Sequence, residues 1–145
     1  MKIHDVINLS GEKDIEKRSD LMGLKIMQNL FALSPSIVYV ERPRGRNNPE
    51  TLRKLTTIVG MIRGFCIYNG IYFEEIAPTE WRKILGFKQG KGVKRDEEKL
   101  QSVQYVKDRY NINPKTDDES DAICIGDAMF AKYAELMEGK EHSEN

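Results

Sequence analysis

The feature that most constrains this chain is a short, unbroken apolar run at residues 37–40 (IVYV), which ends in Glu41. β-Branched and aromatic residues favour strands, and a strand without polar alternation is typical of one buried on both faces. Amphipathic helix patterns flank the run at residues 15–33 and 49–66. This order of elements predicts a mainly parallel α/β layer fold.

The other elements follow from the same rules. In residues 1–9 the apolar Ile3, Ile7 and Leu9 lie on one side at strand period, which predicts a short strand. Ser10 or Asp14 is expected to cap the first helix, and Pro49 suits the first turn of the second. Further predicted elements are a strand at 71–76, a helical turn at 81–85, a flexible basic loop at 86–92, a helix at 96–110, a loop at 111–116 and a last helix from Asp117.

Length and composition limit the class of protein. The 145 residues suit one domain, which we place at residues 1–138, followed by a disordered polar tail at 139–145. No apolar stretch approaches the roughly 20 residues that span a bilayer, and the start lacks a signal peptide's form, so we expect a cytoplasmic protein without a membrane partner. Cys66 and Cys124 have no neighbouring Cys or His at zinc-ligand spacing, and we expect reduced core thiols.

Charge is segregated along the chain although 23 basic residues balance 23 acidic ones. Six basic residues and one acid lie between Arg42 and Arg63, and six more basic residues without an acid lie between Arg82 and Arg95. Such segregation can create a basic face beside an acidic site, as chemistry on a phosphate backbone requires. Ordinary solvated helix faces give the same pattern, so charge alone leaves both interpretations open.

Three acids break the local pattern. Glu41 ends the most apolar strand, at the sheet edge where α/β folds place ligands. Asp118 and Asp121 lie about 60° apart around a helix. They are predicted to extend the core-facing stripe of Ala122, Ile125 and Met129. Favourable interaction with the helix dipole is enough to explain Asp117 and Glu119. If Glu41, Asp118 and Asp121 converge, they form an oxygen-ligand site for Mg²⁺ or Mn²⁺.

Several short motifs occur in a fixed order. They are IVYVE at 37–41, GMIRG at 60–64, Ala77-Pro78 with WRK at 81–83 and Gly86, Lys99 before the helical residues Val103 to Val106, and DESDA at 118–122. Together they resemble the RuvC-type Holliday-junction resolvases of the phage-encoded branch, in the RNase H-like superfamily. The resemblance covers residues 6–132 and implies a three-layer fold with a mixed central sheet flanked by helices.

The resemblance implies a homodimeric endonuclease that resolves four-way or other branched DNA by Mg²⁺-dependent hydrolysis, with Mn²⁺ as a substitute, in a bacterial host cell. Carboxylates hold the metal in that family, and Glu41, Asp118 and Asp121 match three of them. Lys99 resembles the family's lysine near the scissile phosphate. The expected DNA-binding residues are Arg42, Arg44, Lys83, Lys94, Arg95 and Lys99.

One part of the family pattern is missing. Residues 1–33 resemble the family's third strand and first helix, so the first two strands and their metal-binding aspartate have no counterpart here. The sequence begins at an internal methionine of a longer reading frame, or a partner supplies the strand, or residues 1–9 replace it with Asp5 as a ligand. The alternative functions are a catalytically impaired junction-binding protein and a truncated prophage remnant that does not fold alone.

Overall fold

The computed structural model describes residues 4–45 and 48–143. Over these ranges the chain forms five helices and two strands, each within a few residues of its predicted place. In chain order they are α1 (Ile15–Leu33), β1 (Ile37–Glu41), α2 (Pro49–Tyr68), β2 (Tyr72–Ile76), α3 (Pro78–Ile84), α4 (Arg95–Tyr110) and α5 (Asp117–Ser143).

Polar side chains define where α1 and α2 begin. Asp14 Oδ1 accepts a backbone N–H of the first turn of α1 at 3.1 Å, so Asp14 and not Ser10 caps this helix. Asn48 Oδ1 accepts two N–H groups of the first turn of α2, at 3.1 and 3.2 Å. Pro49 follows as the first helical residue, as predicted.

The sheet of the described residues consists of β1 and β2, which are parallel and joined through α2. Every residue of β1 is only half-buried, so the prediction of a strand buried on both faces is wrong. Because β1 pairs with a single strand there, its other edge admits solvent to each residue. The small sheet agrees with the predicted absence of the family's first two strands.

The strand predicted at residues 1–9 is not observed where the structure describes it. Residues 4–9 have no regular structure, and residues 1–3 lie outside the described residues. Alternating apolar residues give a segment an amphipathic face but provide no hydrogen-bonding neighbour, and a strand needs both. Asp5 is accordingly exposed in an irregular segment, where its Oδ1 accepts the N–H of Val6 at 2.7 Å.

The chain divides into two compact units, residues 7–75 and residues 1–6 with 76–145. In the first unit α1 packs against α2, and a Cβ on the buried Gly23 would lie only 2.5 Å from Met61 Cε. In the second unit α3 and α4 both pack against α5. Fully buried side chains of this second unit include Trp81, Val106 and Cys124. The assignment of residues 1–138 to one RNase H-like domain stays a prediction.

Two further sequence predictions can be compared with the structure. Cys66 and Cys124 are both buried free thiols, as predicted. Residues 139–143, predicted to start a disordered tail, belong to α5, and residues 144–145 lie outside the described residues. Good helix formers, including Ala134, Leu136 and Met137, precede Gly139 and favour continuation of the helix. Among the helices described, none is long and apolar enough to cross a membrane.

Glu50 makes a small, acid-sensitive contribution to stability. Its side chain bonds Arg53 at 2.8 Å and Lys54 at 3.3 Å, and these hydrogen bonds lower the pKa of Glu50 from 4.5 to about 2. The contribution is complete above pH 4.5 and is lost as the pH falls towards 2. We expect Glu50→Gln to lower the Tm at pH 7, and the decrease should be small because the ion pairs are exposed. The difference in Tm between this variant and wild type should shrink as the pH falls. Thermal unfolding between pH 7 and pH 3 measures this, with Glu97→Gln as the control.

Candidate active site

The start of α5 carries both aspartates that were predicted as metal ligands. Asp121 is largely buried, with 23% of its side chain exposed, whereas Asp118 is exposed. Both belong to the unit formed by residues 1–6 and 76–145. The negative charges of Asp118 and Asp117 act on Asp121. At this end of the helix the largely buried Asp121 therefore has acidic neighbours.

The predicted core-facing stripe is correct in part. Ile125 and Met129 are buried, but Asp118 and Ala122 are exposed, so the prediction is wrong for these two residues. The reason is that α5 packs against both α3 and α4, so two neighbours and not one stripe determine its buried surface. Asp121 is the member of the predicted pair that points inward.

The environment of Asp121 is unfavourable for an ionised carboxylate. Burial raises its pKa, Ser102 and Arg82 lower it in part, and the charges of Asp118 and Asp117 raise it again. Oδ1 of Asp121 is buried without a hydrogen-bond partner within the described ranges, and its Oδ2 lies 3.9 Å from Arg82 Nη2. Such an oxygen is costly to bury, and a cation bound at it would remove that cost. Asp121 thus offers one oxygen as a potential metal ligand.

Arg82 is the nearest cation to Asp121 and was not singled out for this role. Its guanidinium lies 4.8 Å from the centre of the Trp81 ring, and Nη1 lies 3.5 Å from Glu98 Oε2. Trp81 is fully buried, so α3 holds Arg82 against the core. The sequence shows Arg82 only as one member of a basic segment, because no spacing rule links α3 to the start of α5.

Lys99 approaches the start of α5 from α4. Its Nζ lies 2.5 Å from Asp117 Oδ2, and both side chains are partly exposed. The structure therefore brings Lys99 to a residue adjacent to Asp118. Its proposed role at a phosphate stays a prediction, and the ion pair with Asp117 is a contact that the sequence did not indicate.

The remaining site residues are distributed over both units. Glu41 ends β1 in the unit of residues 7–75 and is half-buried, and Arg42 and Arg44 are exposed in the loop that follows. Among the residues predicted to bind DNA in the other unit, Lys83, Lys94 and Arg95 are exposed. Nowhere in the described parts of the chain are three or more Asp, Glu, His or Cys side chains arranged to hold a metal ion.

Two buried acids in this unit were missed by the sequence analysis. Glu119 is 5% exposed, and its carboxylate accepts the N–H of Lys115 and lies 2.6 Å from His4 Nδ1. The N–H of Lys115, and then His4, lower the pKa of Glu119. His4 is distant in sequence, but Lys115 lies four residues before Glu119 and Thr116 Oγ1 accepts the Glu119 N–H at 3.2 Å. The Thr-x-x-Glu spacing at 116–119 was therefore a local signal of a helix cap.

Asp127 is the second missed acid. It is 7% exposed and accepts hydrogen bonds from the hydroxyl groups of Tyr110 at 2.6 Å and Tyr105 at 3.1 Å. Arg109 Nε lies 3.2 Å from the same carboxylate. These contacts join α4 to α5 and hold the helix of Lys99 against the helix of Asp121.

Comparison with known proteins defines the fold. No protein-family model matches this chain, and no curated protein matches it. Among solved structures, RuvC from Thermus thermophilus in complex with a Holliday junction substrate matches 90% of this chain and 75% of its own, with a TM-score of 0.65 and 16% identity. The chain has the fold of RuvC. A second RuvC structure from Thermus thermophilus agrees, with a TM-score of 0.65 and 17% identity over 91% of this chain and 76% of RuvC.

The RuvC match confirms the fold predicted from the motifs. The expected α/β class and the RuvC-like RNase H fold are both correct. The match extends over most of both chains. At 16–17% identity the likeness defines a fold, and the roles of individual residues need their own evidence.

Proposed function

We propose that this chain is a structure-specific endonuclease that cuts four-way or other branched DNA junctions by metal-dependent phosphodiester hydrolysis. The observation that carries the proposal is the RuvC fold over 90% of the chain, since one matching structure is RuvC with a Holliday junction substrate. The buried Asp121, with one oxygen unpartnered within the described ranges, adds a chemical reason for a site at the start of α5.

In this proposal Asp118, Asp121 and Glu41 hold Mg²⁺, or Mn²⁺ in its place. Mg²⁺ suits such a site because it is commonly bound by one or two carboxylates, with water and phosphate oxygens as further ligands. When bound, the metal lowers the pKa of water and stabilises negative charge at phosphorus. Asp121 supplies a fixed carboxylate because the core holds its helix, and the exposed Asp118 supplies one open to solvent and substrate.

The proposed DNA contacts lie on exposed segments of both units. Arg42 and Arg44 follow Glu41 directly in sequence, and Lys94 and Arg95 begin α4 ahead of Lys99. Lys83 is the further exposed cation proposed, on α3. We further propose that the protein is a homodimer, because a four-way junction presents symmetric strands to two equal subunits. We also propose that it is encoded by a phage and acts in the cytoplasm of a bacterial host.

Lys99 is expected to stabilise negative charge at the phosphate that is cut. Replacing such a positioned donor typically costs about 10² in rate, so Lys99→Ala should reduce junction cleavage about 100-fold at saturating DNA.

Asp117→Asn should instead tighten DNA binding at low salt, because it releases Lys99 from its 2.5 Å ion pair. Single-turnover cleavage and binding titrations in Ca²⁺ measure these effects. Lys107→Ala, at the other end of α4, is the control, and an equal loss in that variant would contradict a specific role for Lys99.

A second candidate function is junction binding without cleavage. It is favoured by the finding that no three potential metal ligands are gathered in the described parts of the chain. In that case exposed cations bind the DNA backbone, and substitutions of the acids leave the protein's only activity unchanged.

One experiment separates the two functions. The purified chain is incubated with a synthetic four-way junction, and with a linear duplex of the same sequence, in Mg²⁺ and in EDTA. The nuclease proposal expects Mg²⁺-dependent nicks in the junction alone, abolished by Glu41→Gln. Salt-dependent junction binding without nicks would support the second function. Aggregation without a cooperative thermal transition would support a truncated remnant that does not fold alone.

A further inference from the structure

The loop between α3 and α4, residues 86–94, has a backbone that depends on glycine. Gly90 and Gly92 have φ angles of 92° and 98°, and L-residues other than glycine rarely adopt such backbone angles. No atom lies within 4 Å of the position that a Cβ would take at either residue. The glycines are therefore required by the backbone conformation and not by crowding, and the space beside them is open to a ligand.

Aromatic packing fixes the start of this loop. The Phe87 ring lies edge-on to Trp81, with ring centres 5.9 Å apart, and edge-on to Tyr105, with centres 5.7 Å apart. Trp81 is on α3 and Tyr105 is on α4. The loop is thereby held by the two helices that it connects.

Gln101 fixes the loop backbone at the next residue. Its Oε1 accepts the N–H of Lys88 at 2.7 Å, and its Nε2 donates to the Lys88 carbonyl at 3.1 Å. The Gln89 side chain also donates to the Thr79 carbonyl at 3.0 Å. With both backbone groups of Lys88 bonded to one amide, the loop has a defined position before any ligand binds.

The exposed cations of the loop and of the first residue of α4 form no ion pair within the described ranges. Lys88, Lys91, Lys94 and Arg95 are exposed, and none forms an ion pair with any residue that the structure describes. Other cations of the same unit do pair with carboxylates; they are Arg82, Lys99, Arg109 and Lys132. A glycine-rich loop that is anchored at Phe87 and Lys88, has open space beside its glycines, and carries cations without an ion pair to any described residue is suited to an extended polyanion.

We infer that this loop is a preformed binding site for the phosphate backbone of DNA, in which Lys88 and Lys91 contact phosphates. Gln101 is a positioning residue that holds the loop. The inference rests on the proposed function and adds to it, since neither lysine nor Gln101 follows from the family motifs. Gln101 follows Lys99 by two residues on α4, so one helix positions both the loop and the lysine proposed to act at the cleaved phosphate.

The test measures junction binding against salt concentration in Ca²⁺. Each phosphate contact contributes about 0.9 to the slope of log Kobs against log[salt], so Lys88→Ala/Lys91→Ala should reduce the slope by about 1.8. Between 50 and 200 mM salt this amounts to about a 12-fold smaller loss of affinity than in wild type. Lys25→Ala/Lys107→Ala removes two exposed lysines elsewhere and should leave the slope unchanged.

Gln101→Leu tests the positioning role because it leaves the charge unchanged. We expect a smaller salt slope in this variant too, while Gln104→Leu, which loses only a surface bond to Asp108, keeps the wild-type slope. A lower Tm with an unchanged slope would show that Gln101 is merely structural. If wild type binds the junction and the double lysine variant has the wild-type slope, the inference about the loop is wrong and the proposed function stands. If wild type binds no DNA, both are wrong.

Discussion

Asp121→Asn is expected to abolish junction cleavage and to leave junction binding intact. Asp121 is a largely buried carboxylate at the start of α5, and one of its oxygens has no hydrogen-bond partner among the described residues. An amide keeps the shape of the side chain but is a poor ligand for Mg²⁺. Losing about 4 kcal/mol of transition-state stabilisation slows a reaction about 10³-fold, and we expect at least this loss in single-turnover rate.

Stability separates loss of a ligand from loss of structure in this variant. Burial raises the pKa of Asp121, so its ionised form destabilises the fold at neutral pH. Asp121→Asn removes the charge, and its Tm at pH 7 should equal or exceed that of wild type. Asp20→Asn, an exposed substitution on α1, should change neither rate nor Tm. An inactive Asp121→Asn protein with a much lower Tm would mean that Asp121 is structural, and full activity would exclude it as a ligand.

The helices and the two strands were predictable because their signals are local. The cap at Asp14 and the apolar run of β1 each depend on residues close in sequence, and these elements agree with the structure. The strand predicted at residues 1–9 is not observed over residues 4–9 because a strand depends on a partner that is distant in sequence. A strand exists only with a neighbour, and the apolar alternation in that segment carries no information about what lies beside it.

In the candidate site too, features with local sequence signals were predictable and features that depend on long-range contacts were not. The inward direction of Asp121 was predicted because it extends the apolar stripe of Ile125 and Met129, but the exposure of Asp118 depends on how α3 and α4 cover α5. Asp127 was missed because its partners lie on α4, whereas Glu119 combines a local partner, the N–H of Lys115, with the distant His4. A carboxylate can be buried only where donors meet it, and a single sequence does not show those donors.

Trp81→Ala is expected to cause the largest loss of stability. Trp81 is fully buried in the unit that contains α3, α4 and α5, and replacing a buried Trp or Phe with Ala costs about 3–5 kcal/mol. For a chain of this length that corresponds to a fall in Tm of about 6–20 °C. Thermal unfolding measures the change, and Tyr68→Ala, which removes a side chain that is 91% exposed, should leave Tm nearly unchanged.

The functional effect of Trp81→Ala should exceed what its lower stability explains. The Trp81 ring supports Arg82 at 4.8 Å on one side and Phe87 at 5.9 Å on another. Its removal therefore loosens both the cation beside Asp121 and the start of the basic loop. Both proteins are compared at one temperature, 20 °C below the Tm of the variant, where the variant is still folded. There we expect the variant to cleave the junction more slowly than wild type and to show a smaller slope of log Kobs for junction binding against log[salt]. Wild-type values for both would contradict the idea that one buried ring positions the carboxylate site and the loop together.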